Sequence, residues 1–199
     1  MKICAIENEL EYGVPYGEYS LNADMEYINS EKYANKFKNI TDHETVNQTL
    51  LECSRAAITH RNGTLYEDMY LINGNTGKII AHQLNALQEQ RINYSNDMLK
   101  CIENARKNNI PIIAFHSHPE GYPPSIDDFN SLYEHGYSFG IVAGHNGQIY
   151  KYQNNRVYIE DCDEVQLNIA LAYEGGVDID RAYLEAFSVY GLSYEIVKE

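Results

Sequence analysis

The stretch Ile110-Pro111-Ile112-Ile113-Ala114-Phe115-His116-Ser117-His118-Pro119-Glu120-Gly121-Tyr122-Pro123-Pro124-Ser125-Ile126-Asp127-Asp128 decides how the chain is read. Its first residues form a nearly continuous apolar run, the pattern of a strand buried on both faces. Side chains two apart on a strand point the same way, so His116 and His118 can present two imidazoles to one point. Pro119 ends the pairing because it has no N–H to donate. The chain then turns through Gly121 and two prolines, and Ser125 opens a helix with Asp128 in its first turn. From there a carboxylate can swing back toward the imidazoles. Neutral imidazole is the usual zinc ligand, and two nitrogens with one oxygen leave a fourth position open, the layout of a catalytic rather than a structural site. Each piece has a plainer reading too. An H-x-H pair arises by chance in a chain with seven histidines, and Ser125-x-x-Asp128 serves equally as a helix capping box. All of them together, directly behind a buried strand, point to a metal.

The elements around this segment follow from periodicity. Upstream, residues 42–60 place Val46, Leu50, Leu51, Cys53, Ala57 and Ile58 on one helical stripe, with Thr41 or Asp42 as cap and Arg61-Asn62-Gly63 as stop. Two strands over 67–73 and 78–82 are joined by Gly74-Asn75-Thr76-Gly77, a good hairpin connection. A second helix over 96–108, capped by Ser95, precedes the apolar strand, and a third runs from Ser125 to about residue 134. Strands over 139–143 and 148–152 follow, with 144–147 as their turn. Residues 163–190 read as one or two helices broken at Gly175-Gly176, whose apolar stripe suits core or a homodimer surface. Residues 1 to about 40 are weakly patterned and are expected to form a short strand or loops. The order α-β-β-α-β-α-β-β-α predicts an α/β (α+β) fold, a mixed sheet with helices against it.

Composition excludes some functions. With 199 residues, 44% hydrophobic and 22% charged, the chain is an ordinary globular protein able to bury a core without staples. Fifteen basic against twenty-nine acidic side chains give a net charge of −14, which argues against nucleic acid as the main ligand. Eighteen tyrosines with no tryptophan and five phenylalanines suit a core whose hydroxyl ends reach water or a partner. Cys4, Cys53, Cys101 and Cys162 share no C-x-x-C spacing and are expected to be reduced thiols. Acids and tyrosines fill the first twenty residues, where a signal peptide needs a basic start and an apolar stretch. A cytoplasmic protein without a membrane span is the expectation.

The stretch from His116 resembles the JAMM motif (also called JAB or MPN+), H-[ST]-H-P followed by S-x-x-D. Here His116-Ser117-His118-Pro119 is followed by five residues and then Ser125-Ile126-Asp127-Asp128. That loop is one residue shorter than in many members, and Gly121 with Pro123-Pro124 can tighten it. The resemblance implies zinc on His116, His118 and Asp128, with Ser125 helping to stabilise the oxyanion. It also implies an upstream glutamate as general base. Glu44, Glu52, Glu67 and Glu89 are the candidates, and Glu67 is chosen because it begins a strand directly after the first helix. Arg61 to Asp68, Asp127-Asp128-Phe129 and Gly140-Ile141-Val142-Ala143-Gly144-His145 are similar to JAB-like domains of bacterial and phage proteins, some attached to phage head-morphogenesis proteins. It covers residues 45–155, leaving 1–44 and 156–199 as an N-terminal and a helical C-terminal extension. By resemblance, the fold is the cytidine-deaminase-like JAB/MPN fold, and the activity is a zinc metallo(iso)peptidase acting on a peptide or a ubiquitin-like conjugate. A non-catalytic scaffold or phage morphogenesis module of the same fold is the alternative. A two-metal phosphoesterase is a weaker reading, because no second ligand cluster is visible.

Overall fold

The computed structural model describes residues 22–89 and 91–199. In chain order the elements are α1 (Met25–Asn29), α2 (Glu31–Asn35), α3 (Glu44–Arg61), β1 (Met69–Asn73), β2 (Ile79–Gln83) and α4 (Asn96–Lys107). Then come β3 (Ile112–His118), α5 (Ile126–His135), β4 (Phe139–Gly144), β5 (Ile149–Asn154), α6 (Cys162–Glu174), α7 (Ile179–Val189) and β6 (Leu192–Ile196). The six strands form one mixed sheet in the order β2-β1-β3-β4-β5-β6. Only the β3–β4 pair is parallel, crossing over through α5, and the other neighbours are antiparallel.

Strand alternation divides the core into two layers. On β1, Tyr70 and Ile72 face one way, and Met69 and Leu71 face the other. On β3, Ile113 and Phe115 join the first layer, with Ile112 and Ala114 in the second. The first layer is closed by Val46, Leu50, Ala57 and Ile58 of α3 and by Ile28 and Tyr33 of α1 and α2. The second is closed by Met98 and Ile102 of α4, Phe129 and Leu132 of α5, Ile169 of α6 and Phe187 of α7. Every residue of β3 is buried, as expected of a strand with neighbours on both edges and helices on both faces.

The mixed sheet flanked by helices is present, with three departures from expectation. Of the weakly patterned residues 1–40, those before 22 lie outside the described residues, and the rest hold two short helices, because Asp24 and Ser30 each cap one that buries Ile28 or Tyr33. The sheet gains a sixth strand, β6, along β5. Cys53 and Cys101 are free, but Cys162 is disulfide-bonded, so the reading of four reduced thiols does not hold. The expected break at Gly175-Gly176 separates α6 from α7. Their stripe is mainly core, with Val165, Ile169, Ala182 and Phe187 buried and Leu167, Leu171 and Val189 exposed. Among the described residues no helix is long and apolar enough to cross a membrane.

Candidate metal centre

β3 places His116 and His118 at its carboxyl end on one face, as their spacing requires, with both imidazoles buried. Their Nε2 atoms approach to 3.0 Å. Helix α5 starts at Ile126 with Ser125 as its cap, and its first turn brings Asp128 over the pair. Asp128 Oδ1 lies 3.0 Å from His116 Nε2, and Oδ2 lies 3.5 Å from His118 Nε2. Three ligand atoms therefore converge, all within 4.8 Å of one another. Tetrahedral zinc, with bonds of about 2.0–2.1 Å, sets its ligand atoms roughly 3.3 Å apart, so this donor set suits such an ion.

The surrounding bonds orient His118 and Asp128. His118 Nδ1 lies 3.0 Å from the Tyr122 carbonyl, which can only accept, so Nδ1 carries a proton and the neutral ring keeps its lone pair on Nε2. The loop supplying that carbonyl is fixed in turn. Gly121 N–H donates to the His118 carbonyl at 3.0 Å, and the Tyr150 hydroxyl donates to the Gly121 carbonyl at 3.1 Å. Gly121 has φ +79°, and an added Cβ would stand 2.4 Å from Asn146, so the turn depends on glycine.

Asp128 is at once the capping residue and the third converging donor. Its Oδ2 accepts the Ser125 N–H at 2.7 Å and the Ser125 hydroxyl at 2.9 Å, while the Ser125 Oγ accepts the Asp128 N–H at 3.2 Å. The capping box and the ligand geometry are thus one arrangement. The Ser125 hydroxyl is engaged by Asp128, and contact with an oxyanion requires that bond to be exchanged.

Of the four glutamates, Glu67 alone reaches the cluster. Glu44, Glu52 and Glu89 are exposed, whereas Glu67 is buried with Oε1 3.9 Å from His118 Nε2. It lies just before β1, which starts at Met69 rather than at residue 67, and Ser117 holds this segment in place. The Asp68 N–H donates to Ser117 Oγ, and the Ser117 N–H donates to the Asp68 carbonyl, each at 3.1 Å. Asp68 points away from the cluster and pairs with Arg61 at 2.6 Å and His60 at 2.7 Å. Of the remaining histidines, buried His145 donates its backbone N–H to the His118 carbonyl at 3.3 Å, His43 stands at the N-cap of α3 without a side-chain hydrogen bond, His82 packs on Tyr70, and His135 lies between Tyr94 and Tyr137.

Electrostatics follow the geometry. Burial pushes the Glu67 carboxyl above its ordinary value, against the pull of His118 and His116. Burial alone would also raise Asp128, but the two imidazoles outweigh it and hold that carboxyl well below the usual range. For His118 burial acts downward, and the Asp128 and Glu67 carboxylates overcome it, raising the imidazole to about 9.

A cleft of about 310 Å³ borders the cluster, and Glu67, Asp128, Tyr152, Ile92, Tyr94 and Tyr137 are among its lining residues. The sequence reading did not single out Ser117, Tyr122 or Tyr152. Ser117 was visible only as a motif letter, Tyr122 acts through its backbone, and Tyr152 reaches the site only through strand pairing. No family model, curated protein or solved structure matches the chain.

Proposed function

We propose that the chain is a zinc-dependent hydrolase of peptide or isopeptide bonds, with His116, His118 and Asp128 holding the metal and Glu67 as general base, on a JAB/MPN-type fold. The observation that carries this reading is the convergence of three buried or half-buried donors with a fourth, unligated carboxylate set 3.9 Å from His118 Nε2 on a cleft wall. The JAMM-like spacing of the same residues supports it. Zinc in such a site supplies Lewis acidity, which polarises a carbonyl and makes water acidic enough to lose a proton near neutral pH.

The chain's own residues do the rest. The Tyr122 carbonyl and the Ser125 capping box keep His118 and Asp128 aimed at one point. Glu67, with its raised pKa, takes the proton from water as the water oxygen adds to the carbonyl carbon. It returns that proton to the nitrogen as the C–N bond breaks, giving a carboxylic acid and an amine for one water consumed.

Glu67→Gln keeps size and burial but cannot take a proton. It is expected to retain zinc and to lower hydrolysis of diglycine-linked or linear peptide conjugates by about 10²- to 10⁴-fold. Zinc binding with undiminished hydrolysis in this variant overturns the assignment of Glu67. A zinc-loaded wild type that cleaves none of these conjugates favours a non-catalytic scaffold.

A further inference from the structure

Tyr152 lies on β5 directly beside Gly140 of β4, and its ring crosses that glycine toward β3. A Cβ on Gly140 would stand 1.9 Å from Tyr152 Cζ and 2.3 Å from its hydroxyl oxygen, so the seat exists only because residue 140 has no side chain. The ring meets His116 edge-on at 6.2 Å between centroids and Phe129 at 5.3 Å. Tyr152 is 2% exposed and lines the cleft, yet its hydroxyl makes no hydrogen bond to any described residue. Of the other tyrosines lining the cleft, Tyr137 donates to Tyr94 at 3.3 Å. The hydroxyl is not one of the buried side-chain atoms left without a partner, so it opens on the cleft, where a ligand oxygen can accept from it.

The expected oxyanion donor is meanwhile occupied, since the Ser125 hydroxyl donates to Asp128. We infer that the Tyr152 hydroxyl is the substrate-facing hydrogen-bond donor of this cleft, contacting the scissile carbonyl oxygen as it gains charge, while Ser125 is a positioning residue for Asp128. The inference rests on the hydrolase reading above. A phenol is protonated at neutral pH and donates without giving up its proton. Donors of this kind act by being in place before charge develops. No second ligand is needed, and the substrate class it selects is an acyl compound with a free carbonyl oxygen at the cluster.

Acetohydroxamate, a small chelator with two oxygens, serves as the probe on zinc-loaded protein, with binding followed by calorimetry. Tyr152→Phe keeps the ring and its contacts with His116 and Phe129. It is expected to leave zinc affinity unchanged and to weaken acetohydroxamate about ten- to hundredfold. Ser125→Ala should show the reverse, weaker zinc and, at saturating zinc, unchanged probe affinity. If Tyr152→Phe binds the probe like wild type while wild type binds both zinc and probe, the role of Tyr152 is overturned and the metal reading stands. Loss of probe binding in Ser125→Ala alone overturns it as well, in favour of Ser125. A wild type that binds no zinc overturns the hydrolase reading and this inference with it.

Discussion

His118 carries three constraints at once: its Nδ1 is tied to the Tyr122 carbonyl, its Nε2 faces Asp128, and Glu67 stands 3.9 Å away. The metal-free ring therefore holds its proton far more tightly than a free imidazole, with its pKa raised from 6.5 to about 9. For a raised pKa, the stabilisation is fully present below 6.5 and is lost as pH rises through about 9. Zinc must displace that proton, so the linkage for metal runs the other way. Zinc affinity is expected to climb with pH between 6.5 and about 9, approaching tenfold per unit, and then to level off. Competitive zinc titrations across that window check it, and an affinity flat in pH contradicts the protonated state. His116, His118 and Asp128 were legible from spacing because strand and helix geometry are local. Glu67 was selected by its place at the start of a strand and by the family resemblance, and Ser117, whose side chain holds the Glu67 segment, gave no signal beyond its letter.

At the scale of elements, β4 and β5 show how a residue without a side chain builds the cleft. Gly140 and Tyr152 are register partners, and the glycine leaves room for the tyrosine ring. Gly140→Ala forces that ring or the strand to move, and is expected to cost about 1–3 kcal/mol in a denaturant titration. Stability unchanged from wild type contradicts the close seat. The first hairpin, the α5 capping box and the buried β3 were readable because each rests on a short, local pattern. The helices α1 and α2 were not, since five residues each give barely one turn of periodicity. Strand β6 does alternate, burying Leu192 and Tyr194, but its partner β5 is distant in sequence and only the folded sheet brings them together.

Across the whole molecule, the cluster sits where β3 and β4, the one parallel pair, end side by side at His118 and Gly144. Ligand sites of α/β sheets form in such crevices beyond the carboxyl ends of strands. The crossover helix α5 starts beside that end, which is why Asp128 can return to histidines ten and twelve residues earlier. The sheet's general character was legible in the order of elements. The arrival of Tyr152 beside Glu67 and Asp128 was not, because it depends on the pairing of β5 with β4 in the folded sheet. The metal itself is the central claim, and calorimetric titration of metal-free protein with zinc at pH 7.5 tests it most directly. One zinc per chain in the wild type, with binding abolished or weakened by orders of magnitude in Asp128→Ala, is the predicted result. A folded wild type that takes up no zinc, or an Asp128→Ala variant that binds as tightly, contradicts it.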